Sequence, residues 1–115
     1  MKPPEKLRLR SNYWIVNEEE EVVFGRGRME ILANIEKTGS INQAAKVMKM
    51  SYKGVWSKIK STEKHLKIKV VHSDRKAGTH LTAEGKILLK NYRRLMKKCI
   101  RTDDRIFDTI FKSFP

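Results

Sequence analysis

The chain has one cysteine among its 115 residues, Cys99, which excludes an internal disulfide and any multi-cysteine zinc site. Its three histidines, His65, His72 and His80, lack metal-ligand spacing. It has no Gly-rich phosphate loop, no paired catalytic carboxylates and no nucleophile with a base beside it, so an enzyme is the least expected class and no cofactor is expected. No apolar run follows Met1-Lys2-Pro3-Pro4. Neither a signal peptide nor a membrane span is expected, and the expected location is cytoplasmic. Acid is also scarce, with thirteen Asp and Glu against twenty-six Lys and Arg, for a net charge of +13 and a pI near 10.1.

Such an excess of positive charge draws a protein to polyanions and makes its binding depend on salt, although it also serves solubility. With 39% hydrophobic and 34% charged residues, the composition is that of a globular chain rather than a disordered one. At this length one domain is expected, covering residues 1–115. It divides into an N-terminal β-hairpin (1–25), a central helical region with a second hairpin (26–82) and a C-terminal helix (83–115).

Residues 7–16 alternate and end in aromatic and β-branched types, predicting a strand with Leu7, Leu9, Tyr13 and Ile15 on its buried face. Asn17 and the glutamates Glu18 to Glu21 make a solvated reversal, and Val22-Val23-Phe24 returns as a short strand closed by Gly25. Met29, Leu32 and Ala33, widened by Ile31 and Ile35, predict a helix buried on more than one side and stopped at Thr38-Gly39. Ser40 with Gln43 three residues later forms a capping box for a helix carrying Ile41, Ala44, Ala45 and Met48.

A turn at Lys49-Met50 leads to a second N-cap, Ser51, and a helix from Tyr52 to about Leu66. Its apolar line is Tyr52, Val55, Ile59 and Leu66; the opposite face carries Lys53, Ser57, Lys60, Ser61 and Lys64. Val70-Val71-His72 and His80-Leu81 predict a small hairpin around Gly78, with Arg75 and Lys76 at its tip. From Lys46 to Lys76 ten basic residues face only Glu63 and Asp74, so this quarter of the chain holds most of the net charge.

Thr82 caps a last helix on which Leu88, Tyr92, Leu95, Cys99, Thr102 and Ile106 recur in steps of four and three, continued by Ile110 and Phe114. Up to about thirty residues would span about 45 Å, more than a domain this small can cover. The stripe therefore predicts pairing with a second copy, a homodimer, against the alternative of folding back on its own core. The apolar end, Ile106, Phe107, Ile110, Phe111 and Phe114, is costly to leave in water. Cys99 lies on this stripe and reads as packed rather than reactive.

The order of these elements is that of a winged helix-turn-helix: mainly α with small β-hairpins (α+β), bearing an N-terminal hairpin and a long C-terminal dimerisation helix. In that arrangement the second helix of the motif enters the major groove and the wing lies along flanking backbone or minor groove. The segments T-G-S-I, Q-A-A-K and M-S-Y-K-x-V-W within residues 38–59, with L-T-A-E-G at 81–85, resemble the DNA-binding domain of ModE-type molybdate-responsive regulators. More distantly they resemble the N-terminal domain of LysR-type regulators. The likeness spans roughly residues 25–95, and G-R-G-R at 25–28 is compatible with it.

The resemblance implies sequence-specific binding of double-stranded DNA. It places Ser51, Tyr52, Lys53, Ser57 and Lys60 on the DNA-facing side, and Lys64 extends that face. Ser40, Arg75, Lys76 and His80 are placed on the phosphate backbone. Lys53, Ser57 and Lys60 face the groove best and are the expected readers of base edges. Trp56 matches the family's tryptophan and suits either packing or base stacking. The wing has one glycine, Gly78, where ModE wings are glycine-rich, and ModE's molybdate-binding domain has no counterpart in these residues. The sequence does not indicate whether a small effector is sensed. The competing readings are a low-specificity nucleoid or architectural protein, and a winged helix that binds protein or RNA.

Overall fold

The computed structural model describes residues 5–112. Two short strands, β1 (Ile15–Val16) and β2 (Val22–Phe24), form an antiparallel hairpin with a register irregularity between Ile15 and Val16. The helices α1 (Arg26–Thr38), α2 (Ile41–Met48) and α3 (Tyr52–Leu66) follow. A second hairpin, β3 (Val71–Asp74) and β4 (Gly78–Leu81), precedes the long α4 (Ala83–Phe111).

Local chemistry sets the helix boundaries. Gly39 ends α1 at φ +71, a left-handed conformation that costs glycine nothing. Ser40, Ser51 and Thr82 each accept a backbone N–H from the third residue of the helix they start: Gln43, Gly54 and Gly85. The capping box at Ser40 is half made. The N–H of Ser40 donates to Thr38 Oγ1 at 3.3 Å, which takes the place predicted for the Gln43 side chain. Lys49 and Lys67 close α2 and α3 in the left-handed region at φ +56 and +55.

The core gathers Ile31, Leu32 and Ile35 of α1, Ile41, Ala44 and Ala45 of α2, and Val55 and Ile59 of α3. Around them pack Phe24, Val70, Leu81, Leu89 and Tyr92. Each large apolar side chain so buried contributes about 1.5–3 kcal/mol. Ala44 and Ala45 are small enough for α2 to pack closely between its neighbours. The three-residue turn into α3 is set by Lys49 in the left-handed region, by the Met50 N–H donating to the Ala45 carbonyl and by the Ser51 cap.

The first hairpin departs from expectation. Residues 7–14 are not a strand, and Leu7, Leu9 and Ile15 are exposed rather than buried. The returning strand is only three residues long before Gly25 opens α1, so most of the alternating segment has no backbone to pair with. Tyr13 is half-buried; its hydroxyl donates to Asp103 on α4, and that bond to a carboxylate raises the phenol's pKa. Tyr92 in turn donates to the Tyr13 carbonyl, so the chain entering β1 is tied to α4.

The second hairpin matches expectation and runs further, pairing Val71 with Leu81, His72 with His80, Ser73 with Thr79 and Asp74 with Gly78. Two glycines seat it. A Cβ on Gly78 would stand 2.5 Å from the Gly39 carbonyl oxygen, and one on Gly85 would stand 2.1 Å from that of Val70. The glycine of L-T-A-E-G is therefore needed where the first turn of α4 passes over the backbone entering β3.

At 29 residues α4 is about 43 Å long, which accounts for an elongated body of 61 × 35 × 22 Å. Its first half is anchored through Gly85, Leu89 and Tyr92. Tyr92, placed on the dimerisation stripe from the sequence, is instead 2% exposed. Its ring meets Phe24 edge-on at 5.1 Å, so it belongs to the protomer's own core. Leu88 is half-buried against that core and Cys99 is half-buried, while Leu95, Ile106 and Ile110 are exposed. Phe114 lies outside the described residues. Among those described, no helix is long and apolar enough to cross a membrane.

Candidate nucleic-acid interface

The helix-turn-helix presents α3 at the surface by its buried side. Val55, Ile59, Thr62 and Glu63, spaced four, three and one, face inward; Ser51, Tyr52, Lys53, Trp56, Ser57, Lys58 and Lys64 are exposed. Tyr52, expected on the apolar line, is 49% exposed and lies outside the core. It lies in the first turn of α3 on the wall of an open groove shared with Ile41, leaving Val55 to begin the buried face.

The exposed side of α3 carries two lines. Lys53, Ser57 and Lys64 form the outer one, and no hydrogen bond or ion pair among the described residues engages their side chains. Tyr52 and Trp56 form the other, on the wall of an open groove of about 520 Å³ between α3 and the wing. Lys60, Lys69, His72 and Ser73 complete that groove. Lys60 differs from its predicted companions. Its ammonium is 3.3 Å from Glu63 Oε1 and 5.3 Å from the Trp56 ring centroid, so its charge is engaged within the protomer. Trp56 is exposed, and packs beneath that cation rather than in the core.

Glu63 was not singled out in the sequence, yet it joins the two parts of this surface. It is 7% exposed, and its Oε2 accepts the N–H of Val70 at 2.8 Å and of Val71 at 3.4 Å. Its Oε1 faces Lys60 and, at 3.8 Å, Lys69. Burial pushes its pKa up, but the two backbone donors and Lys60 outweigh that and hold the carboxyl below its ordinary value. One buried carboxylate thus pins α3 to the start of the wing and partly neutralises two nearby lysines. The available signal was an acid on the line of Val55 and Ile59, where the pattern calls for an apolar residue.

Arg28 was a second omission. Its guanidinium donates to the Val23 carbonyl at 3.0 Å, Ser61 Oγ at 3.3 Å and Thr62 Oγ1 at 3.0 Å, bolting the first hairpin to α3. Burial lowers its pKa. It belongs to the G-R-G-R segment, where nothing local distinguishes its structural role from that of exposed Arg26.

On the wing, Thr79 and Leu81 point inward while His80 faces out opposite His72. Arg75 and Lys76 form the exposed tip. Asp74 shapes it: its Oδ1 accepts the N–H of Lys76 at 2.8 Å and of Ala77 at 3.3 Å, which lowers its pKa. The wing meets the helix-turn-helix where Thr79 N–H donates to the Gly39 carbonyl at 2.9 Å, next to Ser40 at the start of α2. Ser40, the α3 residues and the wing tip are therefore parts of one braced unit. Among the described residues, no cluster of three or more His, Cys, Asp or Glu could hold a metal ion.

Residues 27–86 match the family described as bacterial regulatory helix-turn-helix protein, lysR family, sixty of the 115 residues. The molybdenum transport protein ModE of Azotobacter vinelandii is 38% identical over 72 residues, 59% of this chain and 27% of that protein. The chain thus aligns with about a quarter of that relative's length. Among solved structures, the CbnR DNA-binding domain in complex with DNA superposes with a TM-score of 0.62 at 21% identity, covering 73% of this chain and 95% of that one. DarR of Vibrio fischeri in complex with DNA gives 0.57 at 23% identity, covering 71% and 28%. At such identities the likeness is one of fold, the winged helix-turn-helix arrangement.

Proposed function

The chain belongs to the bacterial regulatory helix-turn-helix proteins of the lysR family, and from that premise we propose that it binds double-stranded DNA sequence-specifically as a regulator of transcription. In this reading α3 enters the major groove, with Lys53 and Ser57 at base edges and Tyr52 and Lys64 at its margins. Ser40, Ser51, Arg75, Lys76 and His80 take the phosphate backbone. Lys60 orders Trp56 and α3 before contact with DNA. The observation that carries the reading is the single rigid unit described above: an outward α3 with Lys53 and Ser57 uncommitted, pinned by Glu63 to a wing with a cationic tip.

Two copies act together in this reading, paired through α4. Leu88, Leu95, Cys99, Ile106 and Ile110 supply the apolar line, from which Tyr92 is removed by its place in the core. Exposed Ile106 and Ile110, at 52% and 69%, make the free helix costly in water. The protein works in the cytoplasm without catalysis or a cofactor.

The test is a selection from random-sequence duplexes followed by fluorescence anisotropy across a salt series. A selected duplex bound at least about a thousandfold more tightly than its scrambled control supports a regulator. Equal affinities on both, falling steeply with salt, support a low-specificity architectural protein instead. Sedimentation in the same buffer is expected to give a dimer that Ile106→Glu with Ile110→Glu dissociates. A monomeric parent chain would contradict the pairing.

A further inference from the structure

A second concentration of positive charge lies outside the helix-turn-helix and the wing. Lys86, Lys90, Arg93, Arg94 and Lys97 line a shallow cleft of about 340 Å³ where α4 passes α1, with Leu89 in its floor and Glu36 at its edge. All five cations are exposed. None takes part in an ion pair among the described residues, whose pairs are Arg26–Glu30, Lys60–Glu63 and Lys69–Glu63. Like charges four residues apart, as in Lys86 and Lys90 or Arg93 and Lys97, oppose a helix. The arrangement is therefore unfavourable on its own and relieved by an anionic partner.

Its placement narrows the partner. Leu88 is two residues from both Lys86 and Lys90, and Leu95 is two residues from both Arg93 and Lys97. At 3.6 residues per turn that sets the cationic strip about 200° around the helix from the apolar line. Pairing of two copies through the apolar line leaves the strip open. The strip also begins where the wing ends. Thr82 joins β4 to α4, and Glu36 at the cleft's edge is three residues before Gly39, whose carbonyl holds Thr79 of the wing. From Lys86 to Lys97 it runs about 16 Å, and a duplex carries one negative charge per roughly 1.7 Å of its axis. The distal half of α4 contrasts with it, because Asp103, Asp104 and Asp108 alternate with Arg101, Arg105 and Lys112.

We propose that this strip is a second phosphate-binding surface that grips the sugar-phosphate backbone of duplex DNA flanking the segment entered by α3. The inference rests on the DNA-binding reading above. It adds to that reading a footprint wider than the helix-turn-helix and wing supply.

The experiment measures the salt dependence of binding to one mixed-sequence duplex of about three helical turns. It compares the parent chain, a strip variant (Lys86→Gln, Lys90→Gln, Arg93→Gln, Lys97→Gln) and a charge-matched control (Lys98→Gln, Arg101→Gln, Arg105→Gln, Lys112→Gln). Circular dichroism establishes that both variants retain the parent's helicity. The expected result is a log–log salt slope lower by about 3–4 in the strip variant, at roughly 0.9 per phosphate contact. The control, with the same loss of net charge, should stay within about 1 of the parent. Unchanged slopes in both variants, or equal drops in both, would overturn the proposal while leaving DNA binding intact. Failure of the folded parent to bind any duplex would overturn the functional reading and this inference with it.

Discussion

The two hairpins have the same formal design and opposite characters. Each turns on one polar side chain that accepts backbone N–H groups: Asn17 from Glu19 and Glu21 in the first, Asp74 from Lys76 and Ala77 in the second. The first has an irregular two-strand pairing and an acidic tip, and is held to the body by Arg28 and Thr62 on the Val23 carbonyl. The second has four cross-strand pairs and a basic tip. It is held by backbone at Gly39 and Val70 and by the buried carboxylate of Glu63. Both hairpins are fixed to α3, the first through Arg28 and Thr62 and the second through Glu63, so they differ in the charge they aim rather than in whether they are held. The first hairpin's acidic tip suits it to face away from a polyanion, while its Tyr13 steadies α4.

The largest test of this contrast is Gly85→Ala. With no room beside the Val70 carbonyl, the wing or the start of α4 has to move, at a cost of about 3 kcal/mol or more, read as a fall in chemical-denaturation stability. A loss below about 1 kcal/mol would mean that the wing is seated loosely.

Glu63→Ala follows. It strips a buried N–H of its acceptor, an expected cost of about 1–3 kcal/mol, with hydrogen-exchange protection lost first at Val70 and Val71. Because the folded carboxyl is held below its ordinary value, its stabilisation is present above the unfolded carboxyl's range and disappears as pH falls through the lower, folded value. The parent should therefore lose part of its stability below about pH 4.5, and Glu63→Ala should show a flatter acid profile. Parallel profiles for the two chains would contradict the clamp.

A smaller effect is expected at the tips. Arg75→Ala with Lys76→Ala should leave the melting temperature unchanged and lower the salt slope for DNA by about 2. Glu18→Gln with Glu19→Gln should leave both unchanged. A slope altered equally by the two pairs would erase the functional difference between the hairpins.

The same contrast explains what was legible in the sequence. The second hairpin, the helices and their caps were readable because their signals are local: apolar spacing in α1 and α2, Ser51 and Thr82 at helix starts, Gly39 and Gly78 at turns. Residues 7–14 misled because alternation describes one strand and says nothing of whether a partner strand is long enough. Tyr92 shared a helical line with Leu88 and Leu95, and only the position of Phe24 decides that it turns inward. Glu63 and Arg28 were hidden for a related reason. Their partners, Val70 and Val23, are backbone groups brought near by the fold, and a charged residue's sequence context does not reveal such groups. In the site, Lys53 and Lys60 look equivalent in the sequence and separate only when Trp56 and Glu63 are seen to hold one of them.

The central claim, that α3 reads base edges, is tested most directly by Lys53→Ala in anisotropy titrations against a selected duplex and its scrambled control. The account predicts a loss of about 1–3 kcal/mol on the selected duplex and a clearly smaller one on the control, because a base contact discriminates while a phosphate contact does not. Equal losses on the two duplexes would contradict it and reduce Lys53 to a phosphate contact.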